Sequence, residues 1–228
     1  MKKSGSLGVA AVSVLILLVA GSCNLFPDYP RSGLTEEIRE MVPDSVLSTL
    51  GSLKMPLNLG DTPPDIEGTF LASPFVLNAS NRKGDLPGQV FSNYQVTFYE
   101  IADAEPRLKM NYTNGPESGY GVESLISGKN QDFTVFARLV ANYNGYPADL
   151  LHIVSGTLVE NGVRDLFFAS VVMNNFDNPG RVWLENGQCR VCFDSDSFSP
   201  MITPPIPFGR RTGPSVSTLL EGTGQLTN

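Results

Sequence analysis

Regular alternation of apolar and polar side chains is the feature that most constrains the fold of this chain. In residues 131–143, apolar side chains occupy five successive alternate positions, and four of the six positions on the other face are polar. Such a period of two is that of a β-strand with one buried face. The apolar set is Phe133, Val135, Ala137, Leu139 and Ala141, and Phe136 and Val140 are the exceptions on the other face.

The same reasoning predicts strands along most of the chain. In residues 90–101, Tyr94, Val96 and Phe98 share one face with Val90, and residues 107–112 alternate in the same way. Two later segments are apolar on both faces, which predicts strands that lie under a helix or in the middle of a sheet. The predicted strands include 66–78, 90–101, 107–112, 120–127, 131–143, 150–160 and 163–174.

Turn signals suggest how these strands are connected. Asn161-Gly162 and Asn186-Gly187 are pairs that favour two-residue hairpin turns, because both central residues of such a turn need a positive φ. No helix is long enough to cross over between parallel strands. The sequence therefore predicts a mostly β fold, an antiparallel up-and-down barrel of eight or nine strands, since closure removes exposed edges. A two-sheet β-sandwich is the alternative.

The flanking regions differ from this pattern. Val46, Leu47 and Leu50 have helical spacing after Pro43, which is suited to a first helical position, so we expect a short helix that packs on the barrel. The C-terminal region is rich in Pro, Gly and Ser and has no apolar period. The predicted organisation is a helical segment at 34–60, a barrel at 61–196 and a disordered extension at 197–228.

The N-terminus has the layout of a secretory signal peptide. Lys2 and Lys3 precede an apolar run over residues 8–20, which is shorter than the roughly 20 apolar residues of a membrane-spanning helix. The run ends in Ala20-Gly21-Ser22-Cys23, which resembles the lipobox of bacterial lipoproteins. The resemblance implies removal of residues 1–22, diacylglycerol on the Cys23 sulfur and a tether over residues 23–33. An ordinary cleaved signal peptide before a free thiol is the alternative.

A second resemblance concerns the folded part of the chain. A short helix is followed by the run Pro63–Phe70, with the sequence PPDIEGTF, and then by alternating strands. This order, together with Ser155-Gly156-Thr157, resembles uncharacterised lipocalin-like bacterial lipoproteins over roughly residues 34–196. The resemblance implies a β-barrel behind the lipid anchor, and it implies no particular reaction.

The side chains that usually carry chemistry are few. His152 is the only histidine, so neither a His-based metal cluster nor a Ser-His-Asp triad has its partners, and we expect a hydrogen-bonded structural histidine. Asp194-Ser195-Asp196 lacks the glycine and distant glutamate of a calcium loop. We therefore expect no catalytic residues, no metal and no cofactor, and we interpret the chain as a protein that is not an enzyme.

The two cysteines beyond Cys23 are predicted to stay unpaired. Cys189 and Cys192 are three positions apart, so in one strand they point to opposite faces about 10 Å apart, beyond the roughly 7 Å limit for a disulfide. The register set by a turn at Asn186-Gly187 also places Trp183 opposite Arg190, which predicts a cross-strand cation–π contact.

Two functions of different classes fit these expectations. Tyr94, Phe98, Phe133 and Phe168 are the candidates for lining a barrel that binds a small apolar or amphipathic ligand, or else they simply fill its core. In the second case the chain is a structural or assembly lipoprotein that contacts another envelope protein. The net charge of −7 and the lack of a basic cluster argue against nucleic acid as a partner. The membrane is the expected partner through the lipid on Cys23.

The expected location is the bacterial cell envelope. Asn24 follows the lipidated cysteine, whereas an aspartate at that position commonly retains lipoproteins on the inner membrane. By this resemblance, the outer membrane is the predicted destination.

Overall fold

The structure is a computed structural model that describes residues 33–101, 106–202 and 215–218. It contains two short helices and twelve strands. The helices are α1 (Glu36–Met41) and α2 (Asp44–Ser52). The strands are β1 (Asp61–Thr62), β2 (Gly68–Ala72), β3 (Phe75–Ser80), β4 (Val90–Phe91), β5 (Tyr94–Tyr99), β6 (Lys109–Asn114), β7 (Glu117–Lys129), β8 (Asp132–Tyr143), β9 (Tyr146–Val159), β10 (Gly162–Asn174), β11 (Cys189–Asp194) and β12 (Phe198–Pro200).

One curled, mostly antiparallel sheet contains all twelve strands. From β5 to β11, each strand pairs with the next in the chain, while β5 also pairs with β2 and β11 pairs with β3. Because β2 and β3 follow each other across Ser73-Pro74, the two ends of this path belong to one stretch of chain. The N–H of Ile202 also donates to the Thr69 carbonyl at 2.7 Å. These contacts confirm the predicted barrel-like antiparallel fold rather than two separate sheets.

The strand count exceeds the predicted eight or nine because two predicted strands are interrupted and the short strands β1 and β12 were not predicted. Ser73-Pro74 separates β2 from β3, and a short break after Phe91 separates β4 from β5. Val90 and Tyr94 are an even number of residues apart, so an uninterrupted strand would place them on the same face. Because the break changes which positions face inward, Val90 is 59% exposed and Phe91 is buried instead. The expectation that Val90 shares the buried face is therefore wrong.

The hairpins follow the local turn chemistry. Val159 pairs with Gly162, so the predicted β9–β10 hairpin is confirmed. Its two-residue loop is Glu160-Asn161 rather than the predicted Asn161-Gly162, and of these loop residues only Asn161 has a positive φ, 63°. Another hairpin joins β8 to β9 through Asn144 and Gly145, both at positive φ. Asparagine and glycine tolerate this conformation better than other residues, and the positive φ matches the twist of the flanking strands.

Two apolar clusters lie on opposite faces of the sheet. The inner cluster includes the alternating set predicted in β8, from Phe133 to Ala141. Phe136, the exception in that set, belongs to the outer cluster, which α1 and α2 cover. The alternation of side chains across a pleated strand accounts for this division.

The helices cover the outer face of the central strands, as predicted for the 34–60 segment. Helix α1 begins at Thr35, whose hydroxyl accepts from the Ile38 N–H at 3.4 Å. Leu50 of α2 is fully buried in the outer cluster together with Leu151 and Ile153 of β9. Full burial of each such side chain contributes roughly 1.5–3 kcal/mol, so the apolar second face of β9 is explained by the helices above it.

A turn is present at Asn186-Gly187, but the prediction that this turn joins two paired strands is wrong. The Gln188 N–H donates to the Glu185 carbonyl at 2.9 Å, but β11 then pairs with β10 and β3 rather than with the residues before the turn. The reason is that the long β10 offers β11 a regular edge. Trp183 therefore does not face Arg190, and the Arg190 guanidinium lies 5.2 Å from the centre of the Phe91 ring.

The predicted disordered extension over residues 197–228 is wrong for two segments. Strand β12 pairs with β10, and residues 215–218 are almost completely buried. Both segments make backbone hydrogen bonds, which their composition does not reveal. The predicted signal peptide, Cys23 and residues 24–32 of the predicted tether lie outside the described residues. Among the residues that are described, no helix is long and apolar enough to span a membrane.

Candidate functional site

The four aromatic residues proposed as a lining all lie in the inner cluster. Tyr94, Phe98 and Phe133 are fully buried, and Phe168 is 1% exposed. The structure brings them together in two pairs. The ring centroids of Tyr94 and Phe168 are 4.3 Å apart, and those of Phe98 and Phe133 are 6.4 Å apart.

His152 lies against the first of these pairs. Its ring centroid is 4.6 Å from that of Phe168 and 4.4 Å from that of Tyr112. It is fully buried, and neither Nδ1 nor Nε2 has a hydrogen-bond partner among the described residues. The histidine is packed in the core as expected, but the described residues do not supply the expected hydrogen bond. Burial lowers the pKa of His152 well below its ordinary value, so its ring is neutral, with one donor and one acceptor nitrogen.

Tyr94 presents a second buried polar atom of the same kind. Its hydroxyl has no hydrogen-bond partner in the part of the chain that the structure describes. Burial, together with the nearby Glu117 carboxyl, raises the pKa of Tyr94 well above its ordinary value, so the phenol stays protonated. Tyr94 and His152 thus offer donors and acceptors within one apolar surrounding, with ring centroids 6.3 Å apart.

Glu117 completes what we call the inner polar layer, defined as Tyr94, Tyr112, Glu117 and His152. The Tyr112 hydroxyl donates to Glu117 Oε1 at 2.7 Å. Burial raises the pKa of Glu117, and the hydrogen bond from Tyr112 and the hydroxyls of the neighbouring Ser217 and Ser215 oppose this rise. The carboxyl is positioned by the β6–β7 turn, in which Glu117 pairs with Asn114.

Residues Ser215–Thr218, which we call the C-terminal strap, lie beside the inner polar layer. The Ser217 hydroxyl is 2.6 Å from that of Ser170, the residue that pairs with His152 across β9 and β10. The Val216 N–H donates to Asn114 Oδ1 at 2.7 Å. The strap therefore covers this part of the interior through hydrogen bonds, and its Val216 side chain also packs in the inner cluster.

Arg190 fastens the strap to the barrel. Its Nη1 donates to the Val216 carbonyl at 2.6 Å and to the Thr218 carbonyl at 2.9 Å. Its Nε and Nη2 donate to the two carboxylate oxygens of Asp85. Burial raises the pKa of Asp85, but hydrogen bonds from Arg190, Arg82 and Ser80 outweigh this and lower the pKa to about 2. Arg190 is thus committed to partners within the protein.

The two cysteines of β11 behave as the strand geometry predicts. Both are free and buried, with Cys189 in the outer cluster and Cys192 in the inner cluster. Burial raises the pKa of Cys189 to about 12 and that of Cys192 well above its ordinary value. Thiols of this kind are poor nucleophiles at neutral pH, so they add no reactive group to the inner polar layer.

No protein-family model, no curated protein and no solved structure matches this chain. Among the described residues, no group of three or more His, Cys, Asp or Glu side chains is placed to hold a metal ion. The inner polar layer and the aromatic rings around it are therefore the features that bear on function. This arrangement places unpartnered hydrogen-bond donors and acceptors within an apolar surrounding.

Sequence reasoning selected four aromatic residues that lie in the inner cluster but missed the polar layer beside them. His152, Tyr112 and Glu117 stand on three different strands, and only the register brings them together. One signal was present, because His152 interrupts an otherwise apolar face of its strand. The strap had no signal of this kind, since its contacts depend on Arg190 and Asn114, which are distant in the chain.

Proposed function

We propose that this chain is a lipid-anchored protein of the bacterial cell envelope whose barrel binds a small amphipathic ligand. The ligand's polar group lies against His152 and Tyr94. The observation that carries this proposal is that the two His152 ring nitrogens and the Tyr94 hydroxyl are buried without hydrogen-bond partners among the described residues, on rings whose centroids are 6.3 Å apart.

Such a cluster is costly in the free protein. A buried donor or acceptor without a hydrogen bond costs about 1–3 kcal/mol, and native proteins contain few of them. A bound molecule that supplies the missing hydrogen bonds removes this cost. The neighbouring rings of Phe168 and Tyr112 would contact its apolar part, which is the usual composition of small-molecule sites.

The N-terminal sequence supports the proposed location. A lipid on Cys23 would hold the barrel at a membrane, where amphipathic molecules are concentrated, and two or more acyl chains anchor a protein stably. The resemblance to lipocalin-like lipoproteins and the Asn24 position favour the outer membrane. In this proposal the chain carries its ligand without reacting with it, and requires no cofactor.

A second candidate function is a structural or assembly lipoprotein that acts through protein contacts. The observation that favours it is the close packing of the interior rings, such as Tyr94 against Phe168 at 4.3 Å. Rings at this distance fill a core by themselves. The same aromatic residues would then serve stability alone.

Native mass spectrometry distinguishes the two functions. The full chain is held in amphipol, exposed to an envelope lipid extract and released in the spectrometer. We expect a reproducible extra mass that is lost on denaturation. Tyr94→Phe, which removes only the hydroxyl, and His152→Phe should reduce that mass. Tyr120→Phe is the matched control, because Tyr120 is 56% exposed on the barrel surface.

Two outcomes would count against ligand binding in the polar layer. A bare polypeptide mass for the wild-type chain favours the assembly function. An extra mass that is equally abundant in all four proteins places the ligand away from His152 and Tyr94.

A further inference from the structure

The polar layer also restricts the chemistry of its ligand. Resting on the proposed function, we infer that the ligand is an amphiphile with an uncharged hydroxyl head, of the long-chain alcohol or monoacylglycerol kind. The inference depends on which groups around His152 and Tyr94 are already engaged and which are not.

An anionic head would lack a cationic partner. Arg190 is the buried basic side chain beside the strap, and it already binds both oxygens of Asp85 and two carbonyls of the strap. A carboxylate or phosphate that is buried without a positive partner carries a large desolvation cost. Glu117 belongs to the same polar layer, and its ionised carboxylate would repel an anionic head. The site therefore disfavours fatty acids and phosphate esters.

A cationic head fits the free groups poorly. Glu117 is the acid of the layer, but Tyr112 already donates to its carboxyl, and Ser215 and Ser217 lie beside it. Within the layer, the atoms that have no partner among the described residues are both nitrogens of His152, the Tyr94 hydroxyl and Oε2 of Glu117, a carboxyl whose pKa burial raises. An ammonium group has only donors, so it leaves the donor nitrogen of His152 unsatisfied.

A hydroxyl matches the free atoms. A neutral imidazole has one donor and one acceptor nitrogen, and a phenol can donate as well as accept. An alcohol oxygen also donates one hydrogen bond and accepts others. One hydroxyl group can therefore accept from one of these side chains and donate to the other. The rings of Phe168 and Tyr112 lie against the His152 ring and suit the attached carbon chain.

The test compares three probes with the same carbon chain: decanol, decanoate and decylammonium. The full chain is held in amphipol at pH 7, and the fluorescence of Trp183 reports binding. Trp183 is the only tryptophan and is buried in the inner cluster. We expect the dissociation constant of decanol to be at least about tenfold lower than those of both charged probes, because each would bury an unmatched charge or donor.

Variants locate the effect. We expect Tyr94→Phe and His152→Phe each to weaken decanol binding about tenfold, the loss that corresponds to one hydrogen bond of about 1.4 kcal/mol. Tyr120→Phe should leave it unchanged. Tyr94→Phe keeps the ring and therefore the packing with Phe168, so it tests the site even where His152→Phe is poorly folded.

The outcomes separate this inference from the function on which it rests. Tighter or equal binding of decanoate or decylammonium overturns the hydroxyl class and leaves ligand binding standing. If the lipid extract gives an extra mass but none of the three probes binds, the hydroxyl class is also overturned and ligand binding still stands. Preferential decanol binding that neither variant weakens overturns the polar layer as its place. The absence of both probe binding and an extract-derived mass overturns the binding function itself.

Discussion

Arg190 and Asp85 form a buried ion pair at two points of contact. Nε of Arg190 lies 2.6 Å from Oδ2 of Asp85, and Nη2 lies 2.9 Å from Oδ1. The two side chains are 3% and 2% exposed. Because Arg190 also holds the strap carbonyls of Val216 and Thr218, this pair connects the β3–β4 loop, strand β11 and the strap.

Removing one partner of this pair should be strongly destabilising. Asp85→Asn leaves the Arg190 charge buried with a weaker acceptor, and breaking a buried pair in this way costs about 3 kcal/mol or more. The free energy of unfolding in urea measures the loss. Glu100→Gln is the control, since it breaks the exposed pair with Lys109 and should have a much smaller effect. Equal effects of the two substitutions would contradict the role given to Arg190.

The buried His152 predicts a specific loss of stability in acid. Its pKa is lowered by burial in the folded state, so the unfolded state binds a proton first as the pH falls below about 6.5. The stability that comes from the neutral ring is complete above that pH and decreases below it, by at most about 1.4 kcal/mol for each pH unit. His152→Phe should remove this part of the slope.

Urea unfolding between pH 7 and pH 5 checks the effect as a difference between the two proteins. Glu117 and Asp194 also titrate, and burial raises the pKa of both, so their contributions have the opposite sign. Because both proteins contain these acids, the difference isolates His152, the only histidine. Parallel pH profiles would show that the ring is hydrated or already hydrogen-bonded in the folded protein.

The thiols of Cys189 and Cys192 should be protected by the fold. Both are buried on opposite faces of β11, and burial raises their pKa values. A thiol reagent such as dithiobisnitrobenzoate should therefore leave them unmodified in native buffer at pH 8 and titrate both in denaturant. Rapid reaction of either thiol in native buffer would contradict the burial of this strand.

The alternation in β8 shows how far the sequence predicts this fold. Phe133 and Val135 point inward, while Phe136 packs under the helices, because a strand has only two faces and both are covered here. The fold class and the strand positions follow from such local patterns. The closure of the sheet between β3 and β11 is a long-range pairing that no local pattern specifies.

The wrong predictions also result from long-range contacts that no local pattern specifies. The Asn186-Gly187 turn forms, but the partner of β11 is chosen by the free edge of β10 rather than by the turn. The strap is held by Arg190 and Asn114, so its composition alone predicts disorder. Likewise, only the aromatic residues of the candidate site were predicted from the sequence. His152 and Glu117 become neighbours of the same tyrosine only through the register of the strands.

The most direct test of the proposed site is a nuclear magnetic resonance spectrum of the His152 imidazole nitrogens in the full chain. Isotopic labelling of histidine gives signals from this residue alone, because the chain has no other histidine. The proposed site predicts that decanol shifts the signal of the unprotonated nitrogen upfield, as it accepts a hydrogen bond, and that Tyr120→Phe gives the same shift. Unchanged nitrogen signals at saturating decanol would contradict the placement of the ligand head against His152.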